Sequence, residues 1–158
     1  MGYLRNAIVI AAPLDDVFRL TSNVRTWPTL FCEYESCTVL DEGPDTVTFR
    51  LTTHPDEQGK QCSREMVRHI SQERRLTVAE LLSSDEPLAR LVIRWWYDPI
   101  EEHSTVMTWE QEFSLQECAP ISDEKAVNYF SEQARQQQAV MKERVERLWT
   151  SAVQERLF

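Results

Sequence analysis

Glycine is scarce in this chain. Only Gly2, Gly43 and Gly59 occur among 158 residues, and no two stand close enough to form a phosphate-cradling loop. P-loop and dinucleotide fingerprints are therefore excluded. Histidine is as thin, with His54, His69 and His103 far apart, and Cys32, Cys37, Cys62 and Cys118 show no C-x-x-C spacing. No zinc motif, metal triad, Ser-His-Asp or Cys-His arrangement can be assembled from them. The opening "NAIVIAAP" is too short for a secretory signal and no small-residue cleavage site follows it. The four cysteines are thus expected to be reduced thiols of a cytoplasmic protein. Long apolar runs are missing too; nothing approaches the roughly 18–20 residues of a membrane span. Basic residues are outnumbered, 17 against 26 acidic ones, for a formal net charge of -9. Such a surface repels polyanions, which argues against nucleic acid and anionic membranes as partners.

What is present reads as one domain over residues 1–158, long enough to bury about two thirds of its unfolded surface. "RNAIVIAAP" reads as a strand ending at Pro13. Pro13, Asp15 and Asp16 suit the start of a short helix whose apolar face is Leu14, Val17, Phe18 and Leu20, and a second helical turn is expected between Asn23 and Leu30. The period then changes to two. "CTVLDEGPDTVTFRLTT" is a hairpin, and "CSREMVRHI", "RRLTVAELL", "LARLVIRWWY" and "STVMTWEQEFSL" are further strands. Seven strands in succession with short turns predict an antiparallel meander.

From Ser122 to Arg156 there is neither proline nor glycine, and Val127, Phe130, Ala134, Met141, Val145, Leu148 and Val153 recur at helical spacing. Ser122 is the expected N-cap. A helix this long has one partner large enough to cover its apolar stripe, the sheet, and a curved sheet wrapped on it leaves a space that side chains or a ligand fill.

"NVRTWPTLFCEYES", residues 23–36, packs Trp27, Phe31 and Tyr34 where a chain would ordinarily place turn residues. Together with "TFRLTTHPDEQGK" (48–60), the W-x-Y of "WWY" (95–97) and "MTWEQEF" (107–113), it resembles the single-domain polyketide aromatase/cyclases of the START-like helix-grip superfamily. The similarity runs from about residue 6 to 150. It implies an α+β helix-grip fold: a seven-stranded curved antiparallel sheet around a long C-terminal helix, with two small helices after the first strand. It also implies an activity without metal or organic cofactor. A poly-β-ketone presented by the acyl carrier protein of a type II polyketide synthase is folded in the cavity, closed by aldol condensation and dehydrated to an aromatic ring.

The same resemblance implies site residues. Arg68 falls at the cavity arginine, on one face of its strand with Met66, Arg64 and Cys62 by alternation. A guanidinium suits an enolate or a polarised ketone. Tyr34 falls at the cavity tyrosine, expected to face Arg68. Its phenol would donate a proton to an alkoxide, or act as a base if a nearby cation lowers its pKa. Trp27, Phe31, Phe49, Trp95 and Trp109 are expected as walls, Gln111 as a hydrogen bonder, and Arg64, Met66 and Ser131 as further substrate contacts. Each has a plainer reading, since one buried tryptophan is worth on the order of 4–6 kcal/mol from area alone.

The chain also departs from the family pattern. Where relatives read W-x-W-x-S-x-R, this chain reads C-x-R-x-M-x-R over 62–68; "AELL" at 79–82 replaces a basic strand, and Ser131 stands where relatives often carry Asn. Arg64 and Arg68 are therefore expected to form a paired cationic site for a carboxylate or enolate. An alternative is a non-catalytic helix-grip carrier of an aromatic or lipidic ligand; an interaction module built on the long helix has less support. Docking of an acidic carrier protein would need a basic patch, from Arg19 and Arg25 or from Arg90 and Arg94.

Overall fold

The computed structural model describes residues 1–157. Strand β1 (Gly2–Ile10) leads through Pro13 into helix α1 (Leu14–Ser22), which carries Asp15 and Asp16 in its first turn and Arg19 in its last. That charge order complements the helix dipole. Val17, Phe18 and Thr21 form its buried face. Asn23 then accepts a hydrogen bond from the Arg25 amide and caps a single 3-10 turn, Val24–Thr26. A four-residue helix α2 (Trp27–Leu30) follows, with Pro28 in its first turn where a missing N–H costs nothing. The helical turn expected over 23–30 is thus two short pieces.

Strands β2 (Tyr34–Glu42), β3 (Thr46–Thr53), β4 (Ser63–Ser71), β5 (Leu76–Ser84), β6 (Leu88–Glu101) and β7 (Ser104–Leu115) form an antiparallel meander. β1 pairs with β7, giving one seven-stranded sheet in the order β1-β7-β6-β5-β4-β3-β2. Helix α3 (Asp123–Leu157) closes the chain, its first turn capped by the Ser122 hydroxyl, which accepts from the Lys125 amide. The helix-grip architecture is as the sequence predicts.

One irregularity sets the direction of Tyr34. Val39, Cys37 and, by strict alternation, Glu35 would point to the inner face of β2. The ladder slips between Tyr34 and Ser36, so that Cys37 pairs with Leu51 but Tyr34 pairs with Thr53. The extra residue is Glu35, which is left exposed, and Tyr34 is turned inward with Thr53. Re-aiming a side chain is a common use of a β-bulge.

Helix α3, about 52 Å long at 1.5 Å per residue, makes its closest main-chain approach to β1 and not to the middle of the sheet. Ala134, Gln138, Met141 and Val145 form its buried seam at alternating spacings of four and three. Leu148, expected on that seam, is 48% exposed. The seam continues one residue later, at Trp149, which packs against the core and meets the ring of His103 at 5.6 Å. Side chains of α3 tie down the edge of β1. Gln138 donates to the Asn6 carbonyl (3.0 Å), Lys142 to the Val9 carbonyl (2.7 Å), and Glu146 accepts from the Ala11 amide (2.7 Å). Because the helix is held to β1 at one side, it stands away from β3–β6, and the cavity described below lies in that gap. Among the described residues no helix is long and apolar enough to cross a membrane, and all four cysteines are free thiols.

Burial would raise the Glu146 carboxyl, but the Ala11 amide and the Lys142 ammonium outweigh it and hold the group below its ordinary value. A depressed carboxyl adds stability that is present above its unfolded pKa and is lost as pH falls through its folded one. Glu146→Gln is therefore expected to lower the melting temperature at pH 7 and to narrow its gap from the parent as the pH drops below about 4. Thermal melts across pH 3–8 measure this; a constant gap would assign the loss to packing alone.

Candidate functional site

Between α3 and the inner face of β3–β7 lies a cavity of about 210 Å³. Its wall is aromatic. Trp95 of β6 and Trp109 of β7 are directly paired across the ladder and stack 4.3 Å apart at 5°. Trp27 also stacks on Trp95, at 5.4 Å and 30°, and Phe31 links Trp27 (5.4 Å), Trp109 (6.0 Å) and the ring of Tyr34 (5.3 Å). Phe49 meets Trp27 edge-on at 5.4 Å. The alternation of Trp95 and Trp96 resolves as expected: Trp95 is buried, while Trp96 faces out beneath the guanidinium of Arg5. The indole N–H groups of Trp95 and Trp109 are buried without an acceptor among the described residues.

At one end sits Arg68, 1% exposed. Its guanidinium lies 4.9 Å from the rings of both Trp27 and Trp95 and donates to the Ser22 carbonyl (3.0 Å) and the Thr77 hydroxyl (3.0 Å). Among the described residues no carboxylate lies within ion-pair distance of it. Burial lowers its pKa to about 10, so it stays cationic at neutral pH. Cation–π contacts of about 2 kcal/mol each in a dry setting, with two charge-assisted hydrogen bonds, offset part of a desolvation cost of several kcal/mol. Tyr97 adjoins it, its phenol hydrogen-bonded to Thr21 (2.7 Å); burial raises the Tyr97 pKa and the Arg68 charge pulls it back. Thr77 and Tyr97 were not singled out from the sequence, although Tyr97 follows from Trp95 by the same alternation.

The other polar end is built around Tyr34. Burial, reinforced by the charge of Glu33, pushes its phenol well above the ordinary tyrosine value. The phenol therefore stays protonated at neutral pH, and the lowered pKa that a base role would require is not found. Its charged neighbours are Glu33, Arg64 and Glu86, not Arg68. Arg64 donates to Glu86 at 2.8 Å, a pair in which both side chains are largely buried. The expected Arg64–Arg68 pair is consequently two separate sites. They share a face of β4, but four residues of strand place their backbones about 13 Å apart, and Arg64 is already neutralised. Glu33, Glu86, Gln133 and Gln137 line this end, and Gln137 of α3 hydrogen-bonds Glu33. None of the four was singled out from the sequence; Glu33 lay inside the aromatic segment itself.

Trp27, Phe31, Tyr34, Phe49, Arg64, Met66, Arg68, Trp95, Trp109 and Gln111 all line the cavity. Ser131 does not. The α3 positions that reach the cavity are Tyr129, Phe130, Gln133 and Gln137, and helical geometry turns residue 131, half-buried, off that stripe.

The profile of the polyketide cyclase/dehydrase and lipid transport family matches residues 1–148. The chain belongs to that family. It is 37% identical over 145 residues to a candidate polyketide cyclase of Streptomyces cyaneus, covering 92% of this chain and 94% of the relative. A second candidate polyketide cyclase, from Streptomyces halstedii, is 40% identical over 108 residues, 68% of this chain and 97% of the relative. Two solved structures share the fold. A START superfamily protein from Mycobacterium smegmatis superposes with a TM-score of 0.81 at 16% identity, covering 94% of this chain and 99% of the other. The Zhui aromatase/cyclase from Streptomyces sp. R1128 gives 0.79 at 16% identity, with 96% and 94% covered.

In this member of the polyketide cyclase/dehydrase and lipid transport family, the Arg64 guanidinium lowers the Glu33 carboxyl that burial raises. Arg64→Met is expected to destabilise the fold by about 1–3 kcal/mol at pH 7, because it leaves the largely buried Glu86 carboxylate without its hydrogen-bond partner and Glu33 without the nearby positive charge. Burial already holds the Glu33 carboxyl above its ordinary value and Arg64 counters that, so without Arg64 the lost stability should return as pH falls below about 5. Denaturant titrations at pH 5 and pH 7 check this; equal losses at both would show that the pair carries no charge coupling.

Proposed function

We propose that the protein is a polyketide aromatase/cyclase that binds a poly-β-ketone intermediate in the aromatic-walled cavity and catalyses aldol ring closure and dehydration. The observation that carries this reading is Arg68: a buried, cationic guanidinium without a carboxylate partner, bordering a cavity. A purely structural arginine at such depth would normally be paired. Its unused donor capacity suits a ketone or enolate oxygen whose negative charge grows during carbon–carbon bond formation. Removing one such donor typically costs 10²–10³ in rate. Tyr34, held protonated, supplies a proton to the alkoxide formed when the enolate adds to a second ketone. The stacked Trp95 and Trp109, flanked by Trp27, offer flat surfaces to a product that becomes planar, and their unpaired indole N–H groups suit a carbonyl-rich guest.

The cavity volume bears on substrate size. About 210 Å³ exceeds the roughly 150 Å³ of an engineered dry cavity that holds benzene. It falls short of the 300–1,000 Å³ usual for larger ligands. The space suits the segment that closes the first ring or two, with the remainder of the chain at the mouth. The intermediate is proposed to arrive on an acyl carrier protein. Of the arginines considered for docking, Arg19 pairs with Asp16, Arg25 with Glu42, and Arg94 with Glu110 and Glu112. These three arginines are paired with carboxylates, so a carrier would rely on other contacts.

Co-expression with a minimal type II polyketide synthase is the direct test. The protein is expected to shift the ring pattern of the aromatic products, and Arg68→Met to abolish that shift while the purified variant keeps a melting temperature near the parent's. An unchanged product profile, with tight binding of a finished aromatic, would assign the protein to the carriers of its family.

A further inference from the structure

Aldol closure begins with removal of a proton from carbon between two carbonyls. Neither Arg68 nor Tyr34 can take it, since both are held protonated at neutral pH. Resting on the cyclase reading above, we infer that Glu33 is the general base, and that it forms a proton relay with its neighbour Tyr34.

Four observations converge on Glu33. Its side chain lines the cavity beside the Tyr34 phenol. The α3 amide of Gln137 hydrogen-bonds its Oε1, and the His54 amide holds its carbonyl (3.0 Å), so both side chain and main chain are fixed. Of the two carboxylates in the wall, Glu86 is occupied by Arg64 (2.8 Å), whereas Glu33 makes no ion pair within 4 Å among the described residues. Burial raises the Glu33 carboxyl above its ordinary value, partly countered by the Tyr34 phenol, Arg64 and Gln137 and reinforced by Glu86. A carboxylate moved upward toward neutral pH is a better base than a solvated one. The groups facing it are Tyr34 of β2, Arg64 of β4, Glu86 before β6, and Tyr129, Gln133 and Gln137 of α3.

The proton accounting closes. The Glu33 carboxylate takes the carbon-bound proton, leaving an enolate and a neutral Glu33 acid. The enolate carbon bonds to a second carbonyl carbon, whose π electrons pass to oxygen as an alkoxide. With Glu33 neutral, the charge that had been raising the Tyr34 pKa is gone, so the phenol is at its most acidic at the moment the alkoxide needs a proton. Tyr34 donates, and Glu33 returns a proton to Tyr34. In the dehydration, Glu33 removes a further α-proton and the hydroxyl leaves with that proton, through Tyr34, as water. No oxidant or reductant enters.

The test uses purified parent, Glu33→Gln, Glu33→Asp and Tyr34→Phe proteins. A synthetic poly-β-ketone thioester reports cyclisation, and a small 1,3-diketone in D₂O reports α-proton exchange above the solvent background by NMR. Glu33→Gln is expected to lower kcat by about 10²–10⁴-fold, to abolish the catalysed exchange, and to remove the acidic limb of the pH profile. Glu33→Asp should restore part of both, and Tyr34→Phe should slow cyclisation by a larger factor than it changes exchange. Tryptophan fluorescence quenching by an aromatic ligand, unchanged in Glu33→Gln, shows an intact cavity. If the parent cyclises and Glu33→Gln matches it within threefold with the same acidic limb, the base assignment fails and the cyclase reading stands. If the parent exchanges protons through Glu33 without cyclising, the base assignment stands and the cyclase reading fails. A parent that does neither overturns both.

Discussion

The guanidinium of Arg68, buried without a counter-charge, is the constraint around which the cavity is organised. It projects from β4, yet its partners come from the end of α1 (Ser22), from α2 (Trp27), from β5 (Thr77) and from β6 (Trp95). A cation at that depth is tolerable only if several dipoles and ring faces converge on it. The helical turn that delivers Trp27 and the strand that delivers Trp95 are thereby fixed against each other, and the aromatic wall follows: Trp95 stacks on Trp109, and Phe31 extends the wall to Tyr34. The aromatics that crowd residues 27–34 serve as one continuous surface from the guanidinium to the phenol.

The second organising feature is the one-sided grip of α3. Gln138, Lys142 and Glu146 bond to main-chain groups of β1 and the β1–α1 link, so the helix is fastened at the edge of the sheet and spans the rest as a roof. A helix packed flat against every strand would have filled the space with side chains at native density. The stand-off leaves a hollow. The α3 residues that roof it, Phe130, Gln133 and Gln137 among them, are mixed apolar and amide where a packed core would be uniformly apolar.

The two ends of the hollow are electrostatically unlike. The Arg68 end is an unpaired cation among rings. The Tyr34 end holds one cation and two carboxylates, with the Arg64–Glu86 pair absorbing the positive charge and leaving Glu33 in the wall. The departure from the family pattern at 62–68 gains a physical reading here. Arg64 lies on the inner face of β4 and is satisfied by the Glu86 carboxylate, so it adds no free cation to the cavity and does not touch the Arg68 end.

Period and punctuation carried most of the fold in the sequence: alternation in six strands after the first helices, proline and Gly-Pro turns between them, and an uninterrupted helical repeat after Ser122. Inward faces of regular strands were equally legible, so Arg68, Met66, Arg64, Trp95 and Trp109 follow from alternation once one inward residue is known. What tertiary structure alone decided are pairings that no local pattern encodes. The bulge at Glu35 turns Tyr34 inward against the strand's own alternation. Ser131 lies a fraction of a turn off the roof. Whether an inward arginine meets a carboxylate, as Arg64 does, or two indoles, as Arg68 does, depends on residues roughly 20 to 40 positions away. The reason is physical: secondary structure answers to the nearest few residues, while the charge state and orientation of a buried group answer to whatever the fold brings within about 5 Å of it.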